Sequence, residues 1–125
     1  MWQRLLWLSV AGAAGALARY VLSGLLHQFR DGEFPWGTLV VNTLGCFLFG
    51  LIWGLAEKRM LFSGETRTII LVGFMGAFTT FSTFVFETSS LLRVSAWLPA
   101  LGNMLLQLAL GLVLLRVGMA LGQAV

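Results

Sequence analysis

From Thr68 to Phe86 the chain carries no charged side chain, and uncharged runs of similar length recur on both sides of it. About 20 apolar residues in helical form cross the hydrocarbon core of a bilayer, where every backbone N–H and C=O must be satisfied within the protein. Such runs therefore confine the chain to membrane-spanning helices. Composition agrees: 58% of the 125 residues are hydrophobic, 10% are charged, and the mean hydropathy is +0.90. The eight basic and five acidic residues fall in small groups that mark off four spans, about 4–29, 35–56, 67–92 and 95–121, within one four-span domain covering residues 1–125. The start of the first span, Arg4 and the apolar run Leu5 to Ala14, is shaped like a signal peptide. Apolar character resumes at Tyr20, however, and three more spans follow, so a transmembrane helix is the better reading. The expected fold is an all-α membrane protein.

The third run is unlike the others. Gly73-Phe74-Met75-Gly76-Ala77-Phe78-Thr79-Thr80-Phe81-Ser82-Thr83-Phe84 combines two glycines with four hydroxyl residues that compete for backbone hydrogen bonds. This predicts a break in the third helix near residue 80, at the membrane centre, where non-helical backbone persists only if it is buried in protein or lines a wet cavity. The alternative is a plain helix whose hydroxyls bond back to their own carbonyls.

The remaining polar residues inside the spans are few. Arg19 lies 15 residues after Arg4, about 22 Å along a continuous helix, and has to snorkel or pair. Glu87 falls at similar depth on the same side, so an ion pair between the two is one expectation. Pro35 and Trp36 open the second span in the manner of a helix start at the headgroup level. Asn42 then lies below the headgroups, where its amide either donates to an anion or bonds to another helix. Asn103, Gln107 and Gly111 recur every four residues in the last span and form one polar stripe, with Gln107 nearest the middle. Gly12 to Ala16 and Gly50 to Gly54 are small-residue ridges that permit close helix contact. With four spans both ends share a side, which carries Arg4, Lys58, Arg59, Arg67 and Arg116, against Arg30, Arg93 and the deep Arg19 on the other. That bias is weak enough to leave either orientation open, including a mixture of both.

Catalysis is poorly supplied. The one histidine, His27, sits at the end of the first span, far from the Ser/Thr centre, and the acidic residues make no deep pair. A metal site of Cys and His ligands has only Cys46 and His27 to draw on, and the scattered arginines form no stripe for nucleic acid. Transport is better provided for. Asn42, Thr79, Thr80, Ser82, Thr83, Gln107, Phe81 and Phe84 offer amide and hydroxyl donors and positive ring edges, an inventory that favours a small anion over a cation.

Three stretches together resemble a known family: Gly12-Ala13-Ala14-Gly15-Ala16-Leu17-Ala18-Arg19-Tyr20, Trp36-Gly37-Thr38-Leu39-Val40-Val41-Asn42, and the third-span run Gly73 to Phe84 followed by Glu87. Over essentially its whole length the chain is similar to the Fluc, or CrcB-type, fluoride channels. The resemblance implies an antiparallel, dual-topology homodimer in the inner membrane of a prokaryote, in contact with lipid, that exports cytoplasmic fluoride passively through two pores. It implies no enzymatic activity and no cofactor beyond a structural Na+ ion, held by the backbone carbonyls of Gly76 and Thr79. It makes Phe81 and Phe84 the aromatic box facing fluoride, Asn42 a pore-lining donor, and Ser82 and Thr83 polar neighbours of the path. Gln107 is a further polar position along it, Arg19 the basic residue near the pore mouth, and Glu87 the acidic residue towards the other end. The chain departs from the family pattern at Ala77, where a glycine is common, and at Asn103 and Gln107, where many members have tyrosine and serine. Two other functions fit four spans: a small drug exporter, which needs a deep glutamate that the first span lacks, and a non-transporting membrane assembly subunit.

Overall fold

The computed structural model describes residues 1–28, 32, 34–59 and 62–125. Phe29, at the expected end of the first span, and the charges at Arg30, Asp31 and Glu33 lie outside the described residues. All the regular structure among the described residues is helical. Helix α1 runs Trp2–Gln28, α2 Trp36–Arg59, α3 Gly64–Thr68, α4 Gly76–Phe78, α5 Phe81–Arg93 and α6 Trp97–Ala124, with a π-helical segment, Ile69–Met75, joining α3 to α4. Among the described residues four stretches are long and apolar enough to cross a membrane: Trp2–Leu26, Trp36–Lys58, Gly64–Arg93 and Trp97–Ala124.

Local chemistry sets the helix ends. The Pro35 carbonyl accepts the first α2 bond from the Leu39 N–H (3.2 Å), where proline's missing donor costs nothing. Ser63 caps α3, its hydroxyl accepting from the Thr66 N–H at 3.1 Å, with Glu65 favourably placed in the first turn. Helix α5 ends in a paired cap in which the Ser95 N–H donates to Leu92 O (3.1 Å) and the Ala96 N–H to Leu91 O (2.9 Å). Ser95 holds this cap at φ 60°, a left-handed conformation normally left to glycine.

Packing follows the glycines. Helices α2 and α6 run parallel and in register: Asn42 meets Gln107 and Lys58 meets Gln123, both offsets of 65 residues. Between these contacts the backbones touch directly. A β-carbon at Gly50 or Gly54 would collide with the carbonyls of Leu115 and Met119, and one at Gly118 or Gly122 with those of Phe47 and Leu51. Without a solvent-driven force between helices in lipid, such backbone approach is what holds two spans together. The first ridge packs on the third span in the same way, Gly15 against the Phe74 carbonyl and Gly73 beneath Leu8 and Ala11. The π-helical segment lies under this crossing, and at its end the Gly76 N–H points to the carbonyls of Gly73 and Leu71. Val41, Leu71, Met75 and Phe78 form the small buried core, while most large apolar side chains face outwards.

Candidate functional site

Between α4 and α5 two residues leave helical geometry, Thr79 at φ −86°, ψ 159° and Thr80 at φ −148°, ψ 112°. Extended backbone inside a helical stretch frees amides and carbonyls, and each must find another partner. The Thr80 peptide finds Asn42. Its N–H donates to Asn42 Oδ1 (2.8 Å), and its carbonyl accepts from Asn42 Nδ2 (3.0 Å), so one side-chain amide takes up both backbone groups. The second Nδ2 hydrogen goes to Gln107 Oε1 at 2.7 Å. Both donors of Asn42 are thus engaged within the chain.

The Thr80 hydroxyl starts α5. It accepts from the Thr83 N–H (3.2 Å), donates to Thr83 Oγ1 (2.9 Å), and lies 3.4 Å from Ser82 Oγ. The carbonyls of Gly76 and Thr79 are among those that lose their helical partners as a result. A continuous helix would place the Thr80 N–H on Gly76 O and the Thr83 N–H on Thr79 O. Both N–H groups are instead held by side chains. Gly76 and Thr79 therefore carry carbonyls stripped of their helical donors, and both residues line the same groove. Among the described residues no cluster of three or more His, Cys, Asp or Glu could hold a metal ion.

That groove, about 320 Å³, brings together Gly76, Thr79, Asn42, Phe81, Phe84 and Gln107. The rings of Phe81 and Phe84 stand 5.7 Å apart and tilted by 55°, with Phe81 76% exposed on the outer face of the chain. Thr80 borders a second cavity of about 270 Å³ as well, shared with Arg19, Tyr20, Ser23, Thr38 and Thr83. Thr83 and Arg19 thus belong to a different cavity from the phenylalanines. Ser82 is exposed beside Thr80. Glu87 lines a third cavity near Phe34 and accepts a hydrogen bond from Thr38 Oγ1 at 2.7 Å. Thr38 consequently stands between Glu87 and the Arg19 cavity.

A family profile described as "CrcB-like protein, Camphor Resistance (CrcB)" matches residues 6–119. The chain belongs to the CrcB family. Its relatives include proteins named "Fluoride-specific ion channel FluC" from Nitrosococcus oceani, 57% identical, and from Solidesulfovibrio magneticus, 52% identical, each over the full length of both chains. A third of that name, from Desulforapulum autotrophicum, is 50% identical, again over both full lengths. Family membership and four membrane-length helices make this CrcB chain an integral membrane protein.

Proposed function

We propose that the chain is a fluoride-selective channel that lets cytoplasmic fluoride leave passively across the inner membrane of a prokaryote. The relatives named as fluoride-specific channels support this reading. The observation that carries it is the groove, lined together by Phe81, Phe84, the amide residues Asn42 and Gln107, and the two residues with donor-stripped carbonyls, Gly76 and Thr79. Ring edges are weakly positive and cannot titrate, so they solvate a small hard anion without trapping it as a fixed cation does. Gln107 gives one Nε2 hydrogen to Asn103 and accepts from Asn42 at Oε1, so one amide hydrogen is left over on a residue that lines the groove, whereas Asn42 has both donors engaged.

We read the departure of Thr79 and Thr80 from helical form as a break of the third span near the bilayer centre. Gly76 and Thr79 fit a sodium ion by the chemistry of their carbonyls, but one chain offers two oxygens where a small cation takes more. A second copy, inserted upside down, would bring the matching pair across a two-fold axis, as inverted repeats do in other transporters. The exposed Phe81 supports this arrangement, because a groove open on the outer face needs a second wall. The ion would be structural, and its charge would favour nearby anions. The test is fluoride efflux from liposomes holding the purified chain, with chloride as the comparison ion. Fluoride release without chloride release supports the channel, and retention of both ions refutes it. Accessibility of a C-terminal tag from both faces of intact cells tests the antiparallel pairing, which a single-sided result would refute.

A further inference from the structure

The amide that clamps Thr80 is the first rung of a longer chain of hydrogen bonds. Asn42 Nδ2 donates to Gln107 Oε1 at 2.7 Å, Gln107 Nε2 to Asn103 Oδ1 at 3.2 Å, and Asn103 Nδ2 to Thr88 Oγ1 at 2.9 Å. Thr88 Oγ1 completes the run by donating to the Phe84 carbonyl at 2.8 Å. Every bond points the same way, so each side chain uses its donor on the next and its acceptor for the one before. Asn103 is fully buried and Thr88 nearly so.

Where the ladder lands is more telling than its length. One end holds the Thr80 peptide, the residue before Phe81, and the other holds the carbonyl of Phe84 itself. Between those two points lies a single turn of α5, the turn that carries both rings. Because the backbone is extended at Thr79 and Thr80, this turn cannot inherit its rotation from α4 through helical hydrogen bonds. Its orientation has to come from elsewhere. The ladder ties it to α2 and α6, which are locked together backbone to backbone at four glycines.

We infer that Thr88, Asn103 and Gln107 are positioning residues, whose ladder sets the angle at which Phe81 and Phe84 present their edges to the groove. The inference rests on the reading that those rings face the fluoride path. Thr88 is the informative member, because it borders neither the groove nor the Arg19 cavity and so cannot act as a ligand there. Thr88→Val keeps the volume but strands the buried Asn103 donor, whereas Thr88→Ser keeps the hydroxyl.

The full chain is reconstituted at low density in vesicles loaded with fluoride. The fraction of vesicles that empty counts assembled channels, and the initial rate per emptying vesicle reports conduction by each. Thr88→Val is expected to slow that rate about tenfold, the weight of one buried donor left without a partner, with the emptying fraction unchanged. Thr88→Ser is expected to conduct like the parent chain, and Asn103→Leu with Thr88→Val to be no slower than the slower single variant, since both cut one ladder. An unchanged rate in Thr88→Val, a fall in the emptying fraction alone, or losses that multiply in the double variant would overturn the inference. If Thr88→Val does not assemble, Asn103→Leu carries the same expectation and decides the matter. Absence of flux from the parent chain refutes the channel reading itself, whereas parental flux with an indifferent Thr88→Val refutes only the ladder.

Discussion

Gly45 is a sharp test of how tightly the non-helical segment is built. It lies on α2 directly beneath Thr79, and a β-carbon there would meet Thr79 Cγ2 well inside the 3.0 Å that real β-carbon contacts respect, with Phe78 Cδ1 at 3.4 Å. Two escapes exist. Thr79 can turn about its χ1 bond, but its hydroxyl donates to the Met75 carbonyl at 3.0 Å, and losing that bond costs about 1 kcal/mol. Otherwise α2 and the third span must part, which as overpacking costs about 1–3 kcal/mol. Alanine also gains about 1 kcal/mol of helix propensity over glycine, so the right comparison is Gly24→Ala, where an added β-carbon meets nothing within 4 Å. Relative to that control, Gly45→Ala is expected to lose about 1–3 kcal/mol of unfolding free energy, measured by denaturant titration in detergent. Adding Thr79→Ser removes the offending methyl and keeps the hydroxyl, so most of the loss should return. Equal stability of Gly45→Ala and Gly24→Ala, or no recovery with Thr79→Ser, would refute the close packing of α2 on Thr79.

Three further outcomes are expected. Asn42→Asp should conduct fluoride less well than Asn42→Ser, because an ionised carboxylate turns an oxygen towards Thr80 O and Gln107 Oε1 and repels the anion; equal efflux from the two would disprove this. Phe81→Ile and Phe84→Ile should each cut liposome efflux at least about fivefold, since one aromatic edge facing a small ion is worth about 1 kcal/mol or more, while the rest of the packing is kept; unchanged efflux would reduce the rings to packing. Ser95→Gly should raise stability by about 1 kcal/mol in the same detergent titration, since it relieves a left-handed residue at the α5 cap without touching a hydrogen bond.

The four membrane-length helices were legible because lipid permits so little: charges gather between the spans, and every apolar run has to be helical. The glycine ridges were legible as contact surfaces but not as pairs. Nothing in Gly50 to Gly54 names Gly118 and Gly122 as the other half, since a register of 65 residues is a property of the folded bundle. Asn42 was legible as an amide needing partners, with an anion and another helix both open; that its partner is a peptide follows only once Thr80 turns extended beside it. In the sequence Thr80 is one deep polar residue among several, yet in the fold it joins two cavities and the start of α5. Thr88 gave no signal at all, because a threonine bonded back to its own helix is ordinary. The π-helical segment was equally silent: over the seven residues of Ile69–Met75, a period of 3.6 cannot be told from a slightly wider one.

Stability and the proposed transport meet where Thr79 and Thr80 leave helical form. Interrupting a membrane helix leaves several backbone groups unsatisfied, and here side chains take up the Thr80 and Thr83 N–H groups, which leaves the Gly76 and Thr79 carbonyls without their helical donors. Asn42 could have been matched by a side chain that also serves Gly76 O, but it spends its donors on Thr80 O and Gln107 Oε1 instead. Among the groups left over are the carbonyls of Gly76 and Thr79, two residues that line the face where Phe81 stands exposed. Lone pairs alone would repel an anion in the groove. A cation shared with a second chain removes that repulsion and satisfies the carbonyls together, so on this reading the pairing of two copies and the passage of an anion are answers to the same electrostatic problem. Replacing sodium by a large organic cation throughout purification should then weaken association of the two chains and fluoride efflux in parallel; efflux at the full rate from chains prepared without sodium would separate the two and refute the link.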